Sequence, residues 1–115
     1  MRSSGAPLAV STWTEVELLS AIGIKARSKQ LSKAGAGKVI DSYRRRVAPL
    51  LLQLPVHNIH HHQAIGLLDG RRTSLRGGDG LHLAIAAANA ATVWTLDRGM
   101  ASAGKMLGLP VNLVE

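Results

Sequence analysis

The sequence predicts an α/β fold with a mainly parallel sheet, and three observations carry that expectation. Short β-branched segments alternate with longer stretches of helical spacing, the pattern of strands joined by helices. One stretch, Asp79 to Ala91, is apolar on nearly every side, as a helix is when neighbours cover all of it. The run Thr92 to Leu96 is followed at once by an acid, Asp97, the position at which parallel sheets meet their ligands. The chain has 115 residues, 46% of them hydrophobic, which suits one domain spanning residues 1–115.

In chain order, Pro7 to Val10 reads as a short strand, and Ser11 or Thr12 opens a helix to about Arg27. Thr12 and Glu15 have the spacing of a capping box, and Lys25 and Arg27 suit the negative end of the helix dipole. A second helix is expected from Lys33 to Ala48, with Val39, Ile40, Tyr43 and Val47 as its apolar stripe. Pro49 and Pro55 bracket a leucine-rich run. Val56 to Ile59 reads as a strand, followed by a helix from about His61 to Leu68. Gly77-Gly78 reads as a loop, and Asp79 opens the apolar helix that runs through Ala91. Thr92 to Leu96 is a strand and Arg98 to Leu107 a helix. Gly108 stands where a helix ends in a left-handed residue, and Val111 to Val114 closes the chain as a strand.

Composition narrows the function. The chain has no cysteine, which excludes a disulfide scaffold and thiolate metal sites and suits a cytoplasmic protein. No apolar run reaches the ~18 residues that span a membrane, and Met1 to Pro7 lacks the apolar segment of a secretion signal. Fourteen Lys and Arg against seven acids give a net charge of +7. That excess favours a polyanionic partner, because neutralising phosphates releases their counterions; an acidic protein would serve as well.

In so basic a chain the acids are informative. Glu17 has Trp13, Ala21 and Ile24 as helical neighbours, a mostly apolar face on which a lone carboxylate is costly. It is either an edge residue paired with a nearby Lys or Arg, or a group with a task. Asp79 is either the N-cap of its helix or a functional carboxylate at the helix start. Asp97 is either a cap for the helix from Arg98 or a cation ligand beyond the strand end. Carboxylates gathered at such ends are the ligand set that suits Mg²⁺ or Mn²⁺, ions that cleave phosphodiesters by activating water and stabilising developing charge.

Three segments carry a resemblance to PIN-domain ribonucleases of the VapC toxin type. Val10 to Ala21, VSTWTEVELLSA, looks like the family's second acidic motif. Leu75 to Ala88, LRGGDGLHLAIAAA, is similar to its Arg-x-x-Asp-Ala-Leu-His-Leu-Ala segment, with Gly80 in place of the usual Ala. Thr92 to Val111, TVWTLDRGMASAGKMLGLPV, looks like its Thr-x-Asp stretch and closing strand. The three come in family order and cover residues 8 to 115. The resemblance implies a three-layer αβα sandwich and makes Glu17, Asp79 and Asp97 metal-site and catalytic acids for Mg²⁺ or Mn²⁺. It implies endoribonuclease activity as the toxin of a type II toxin–antitoxin system, with RNA as substrate, a VapB-type antitoxin as partner and a homodimer as the assembly.

The family's first strand, which ends in a metal-binding aspartate, and its first helix have no counterpart here. A form short of that strand and one ligand is therefore expected to be inactive by itself. The alternative reading is a catalytically dead remnant that only binds antitoxin or RNA.

Other candidates have simpler explanations. His57, His60, His61 and His62 suit a helix start, since His60 and His61 cannot share a helical face and no acid stands at ligand spacing. His82 reads as a hydrogen-bonded core residue. Arg44-Arg45-Arg46 reads as a solvated face. Arg72, Arg76 and Arg98 flank Asp79 and Asp97 in sequence and are candidates for RNA-backbone contact. Gly77-Gly78-Asp79-Gly80 lacks the Lys-Ser/Thr of a phosphate-cradling loop, which excludes that mode of nucleotide binding.

Overall fold

The computed structural model describes residues 8–114. The chain divides after Pro55 into two compact units.

The first unit opens with strand β1 (Ala9–Ser11), which leads directly into helix α1 (Thr12–Arg27). The helix is closed by Ser11, not by the expected Thr12–Glu15 pair. Ser11 is extended and its Oγ accepts the Thr14 N–H, while Thr14 Oγ1 accepts the Ser11 N–H, each at 3.3 Å. Thr12 is already helical, so it cannot take the extended backbone that a cap needs. Helix α2 (Lys33–Ser42) starts at Ser32, whose Oγ accepts the Gly35 N–H at 2.9 Å. It stops well short of the expected Ala48. Tyr43–Val47 widens into a π turn and Ala48–Leu50 tightens into a 3₁₀ turn. Pro49 is the physical reason, since it has no N–H to return to the Arg45 carbonyl and its ring crowds that position.

Strand β2 (Leu52–Leu54) lies parallel to β1, with Ala9 opposite Leu52 and Ser11 opposite Leu54. This corrects the expected strand at Val56–Ile59: the strand is the leucine run before it. Pro55 ends β2 because it cannot donate to a ladder. His57 then serves as the extended N-cap of helix α3 (Asn58–Asp69), its N–H donating to His60 Nδ1 at 2.9 Å. Val56 and Ile59 have the side chains of a strand, but local capping takes their backbone.

The second unit holds α3, helix α4 (Gly77–Ala88), strand β3 (Val93–Thr95), helix α5 (Arg98–Met106) and strand β4 (Val111–Leu113). The expected loop at Gly77-Gly78 is the first turn of α4, and Arg76 is its N-cap. Asp79 is thus the third helical residue and not the cap. The apolar helix is buried as expected over Gly80, Leu81 and Leu83–Ala86, but Ala87 and Ala88 are exposed. It ends at Ala88 rather than Ala91. Asn89 Nδ2 donates to the Ile85 carbonyl at 2.8 Å, taking the acceptor that continued helix would use.

β3 and β4 are parallel, with Val93 opposite Val111 and Thr95 opposite Leu113, and α5 is the crossover between them. Leu83, Met100, Ala101 and Val111 form the buried centre, with Leu67, Leu75, Val93, Leu109 and Leu113 packed on it. Gly108 lies just past α5 with φ of 73°, the left-handed conformation expected of it.

α5 reaches β4 through Gly104. A Cβ there would overlap the Val111 side chain, with Val111 Cβ at 3.1 Å and Leu83 Cδ2 at 3.5 Å. Gly104→Ala is expected to destabilise the protein by about 1–3 kcal/mol through overpacking. Gly66→Ala, in the interior of α3 with nothing near its Cβ position, should stabilise by roughly 0.5–1 kcal/mol through helix propensity. Urea unfolding of the two variants measures the contrast; a Gly104→Ala protein as stable as the parent would show that α5 and β4 are not in this contact.

Candidate functional site

Asp97 is placed by the β3–α5 junction. Its N–H donates to Thr95 Oγ1 at 3.0 Å, a turn that the Thr-x-Asp spacing builds for itself. Its Oδ1 accepts the N–H of Gly99 at 2.8 Å and of Met100 at 3.2 Å. Asp97 is therefore the N-cap of α5, as one of the two sequence readings held. Both bonds fall on Oδ1, so Oδ2 takes no part in the cap. The residue is exposed and stands beyond the carboxyl end of a parallel strand, where open α/β sheets present ligand-binding groups. Thr95 is the positioning residue that sequence reasoning passed over.

Asp79, half-buried, lies in the first turn of α4, where a negative charge is favoured by the helix dipole. Asp79 is one turn before Leu83, and Asp97 is three residues before Met100. Leu83 and Met100 share one buried cluster. The second unit thus carries the two aspartates at the starts of two helices that meet in a common core.

Glu17 is a half-buried residue of α1, in the first unit. The face on which it was expected to be costly is only partly covered: Trp13 is half-buried, but Ala21 is exposed and Ile24 is 56% exposed. Water reaches that face, which weakens the argument that the carboxylate must have an unusual task.

A hard divalent cation needs several fixed oxygen ligands. The donor chemistry of these carboxylates suits one. Among the described residues, no three His, Asp or Glu side chains gather closely enough to hold a metal ion.

The arginines separate by position. Arg76 is the exposed N-cap of α4 and Arg98 the exposed first residue of α5, so both flank the aspartates. Arg72 is also exposed, but it donates to the Met106 carbonyl at 3.4 Å, at the last turn of α5. A nine-residue helix is about 13 Å long, which puts that contact at the far end from Asp97.

The histidines act at a helix start. His60 is buried and its Nδ1 is occupied by the His57 N–H. His61 Nδ1 lies 3.3 Å from the His57 carbonyl oxygen, and His62 Nε2 lies 3.3 Å from Asn58 Nδ2. No described helix is long and apolar enough to cross a membrane.

No family model matches the sequence, and no curated protein matches it. Among solved structures, the crystal structure of FitAcB from Neisseria gonorrhoeae is similar to this chain, with a TM-score of 0.67 and 19% sequence identity. The match covers 93% of this chain and 73% of that one. The chain therefore shares the α/β fold of FitAcB, and at this identity the likeness is one of fold.

The cap at Asp97 has a measurable signature. Asp97→Ala is expected to lower stability by about 1 kcal/mol by freeing the Gly99 and Met100 N–H groups. Asp97→Asn keeps an accepting oxygen and should cost only a few tenths. Thermal melts of the two variants check this, and equal losses would mean that the carboxylate's charge, not its capping oxygen, holds the start of α5.

Proposed function

We propose that this chain is a PIN-like toxin of a type II toxin–antitoxin system, of the VapC type. It would be a metal-dependent endoribonuclease of three-layer αβα fold, and these 115 residues by themselves would show little or no activity. The observation that carries the proposal is the fold shared with FitAcB over nearly the whole chain; FitB is a PIN-domain toxin with antitoxin FitA. The position of Asp97 supports it, because an exposed carboxylate beyond a parallel strand is where such a fold would hold its chemistry.

In this reading Glu17, Asp79 and Asp97 are the acids that would help hold Mg²⁺ or Mn²⁺. Arg76 and Arg98 contact the RNA backbone, Arg72 in a lesser role at the far end of α5. A VapB-type antitoxin covers the site, a homodimer is the assembly, and the cytoplasm is the location. Deficiency is the expected state of these 115 residues by themselves because the family resemblance calls for a further aspartate, on a strand that they do not hold. A second reading, a dead remnant that binds antitoxin or RNA without cleaving, rests on the same incompleteness.

Cleavage of a structured RNA with Mn²⁺ or Mg²⁺ separates the two. The 115-residue chain should give little or no product. A version extended at its N-terminus by a strand ending in an aspartate should cleave, and Asp79→Asn in that version should reduce the rate at least about a hundredfold, as expected when a reacting group is no longer held in place. An inert extended version would remove the nuclease reading and leave the remnant. Metal-dependent cleavage by the 115 residues alone, abolished by Asp79→Asn, would remove the claim of deficiency.

A further inference from the structure

The positive charge of this protein is not shared between its two units. Residues 2–55 carry nine Lys and Arg against three acids, whereas residues 56–115 carry five against four. Six of the seven net positive charges thus belong to the unit without Asp79 and Asp97. Within it they are concentrated further. Lys25 and Arg27 stand in the last turn of α1, Lys29 in the following turn, Lys33 and Lys38 on α2, and Arg44, Arg45 and Arg46 in the π turn that continues α2. All eight side chains are exposed, and α2 is packed against α1 on one side and runs into the π turn on the other. Asp41 is the one acid in residues 25–46. It pairs with Arg45 at 3.2 Å, with both side chains more than half exposed, an ion pair of little energetic consequence. Seven cations are left with no acid inside the segment.

We propose that residues 25–46 form a surface that binds the phosphate backbone of RNA independently of any cleavage, the choice of RNA resting on the nuclease reading above. Three consecutive arginines in a widened turn fan around it rather than stack on one face, which suits a chain of phosphates more than one fixed anion. Aromatic platforms for bases are scarce on this surface: residues 25–46 contain no Phe or Trp and one Tyr, and the Tyr43 hydroxyl is buried. Binding is therefore through phosphates and without base preference. An anionic lipid surface, which such a basic segment could also meet, is separated from RNA by the vesicle arm of the test.

The test is fluorescence anisotropy of a labelled oligouridylate with the full chain, in EDTA so that metal chemistry plays no part, over about 50–200 mM salt. The triple variant Lys38→Gln, Arg44→Gln, Arg46→Gln should bind about tenfold more weakly or worse at about 100 mM salt. Its log–log salt slope should be shallower by about 2, at roughly 0.7 per phosphate contact in single strands. The double variant Arg71→Gln, Lys105→Gln, exposed residues of the other unit, should stay within about twofold of the parent. Far-ultraviolet circular dichroism of each variant establishes that it is folded. An unchanged triple variant, equal losses in the two variants, or a parent that does not bind would overturn the proposal. So would tighter binding to polyglutamate or to phosphatidylglycerol vesicles, which would assign the surface to an acidic protein or to a membrane. Because the assay contains no metal, its failure leaves the nuclease reading standing, and an extended version that binds RNA but does not cleave it would sink that reading alone.

Discussion

The second unit depends on the close approach of α5 to β4 at Gly104. A crossover of nine helical residues between two three-residue parallel strands has little length in which to bury apolar surface. It succeeds because the helix backbone comes down on Val111, with Leu83 of α4 closing the contact from the side. Glycine is required for lack of a side chain rather than for backbone freedom. Once the helix is seated at Gly104, Met100 and Ala101 enter the core one turn earlier, and the N-terminal turn of α5 is held where Asp97 must cap it.

That arrangement makes the aspartates economical. The same bonds that satisfy the Gly99 and Met100 N–H groups orient the Asp97 carboxylate and leave its second oxygen outside the cap. Capping and ligand binding are thus compatible at this residue, one oxygen for each. Asp79 gains from the α4 dipole in the same manner without being a cap. Both acids have a structural reason to be where they are.

Electrostatics divides the molecule along the same boundary as its packing. A nearly neutral unit holds two of the candidate acids, and a strongly basic one holds Glu17 and most of the cations. A uniformly basic protein would repel divalent cations from every carboxylate. The unit of residues 2–55 carries six of the seven net positive charges, and within it they gather on residues 25–46.

Sequence by itself determined the elements whose signals are local and uncontested. β3 and β4 were legible in their β-branched runs, α5 in its spacing and its closing Gly108, and the burial of α4 in the apolar run from Leu81 to Ala86. Parallel pairing followed from the alternation of strands and helices. The tertiary structure decided the cases in which neighbouring signals compete. Leu52–Leu54 and Val56–Ile59 both read as strand material, and pairing with β1 on one side and the His57–His60 cap on the other assigned the strand to the leucines. Gly77 and Gly78 read as a loop, yet they are helical once Arg76 is extended and α4 packs along α3. Ser11 rather than Thr12 caps α1 because β1 holds its backbone extended. Which helices share a core with Leu83 and Met100 follows from packing between residues far apart in sequence, and no local pattern encodes it.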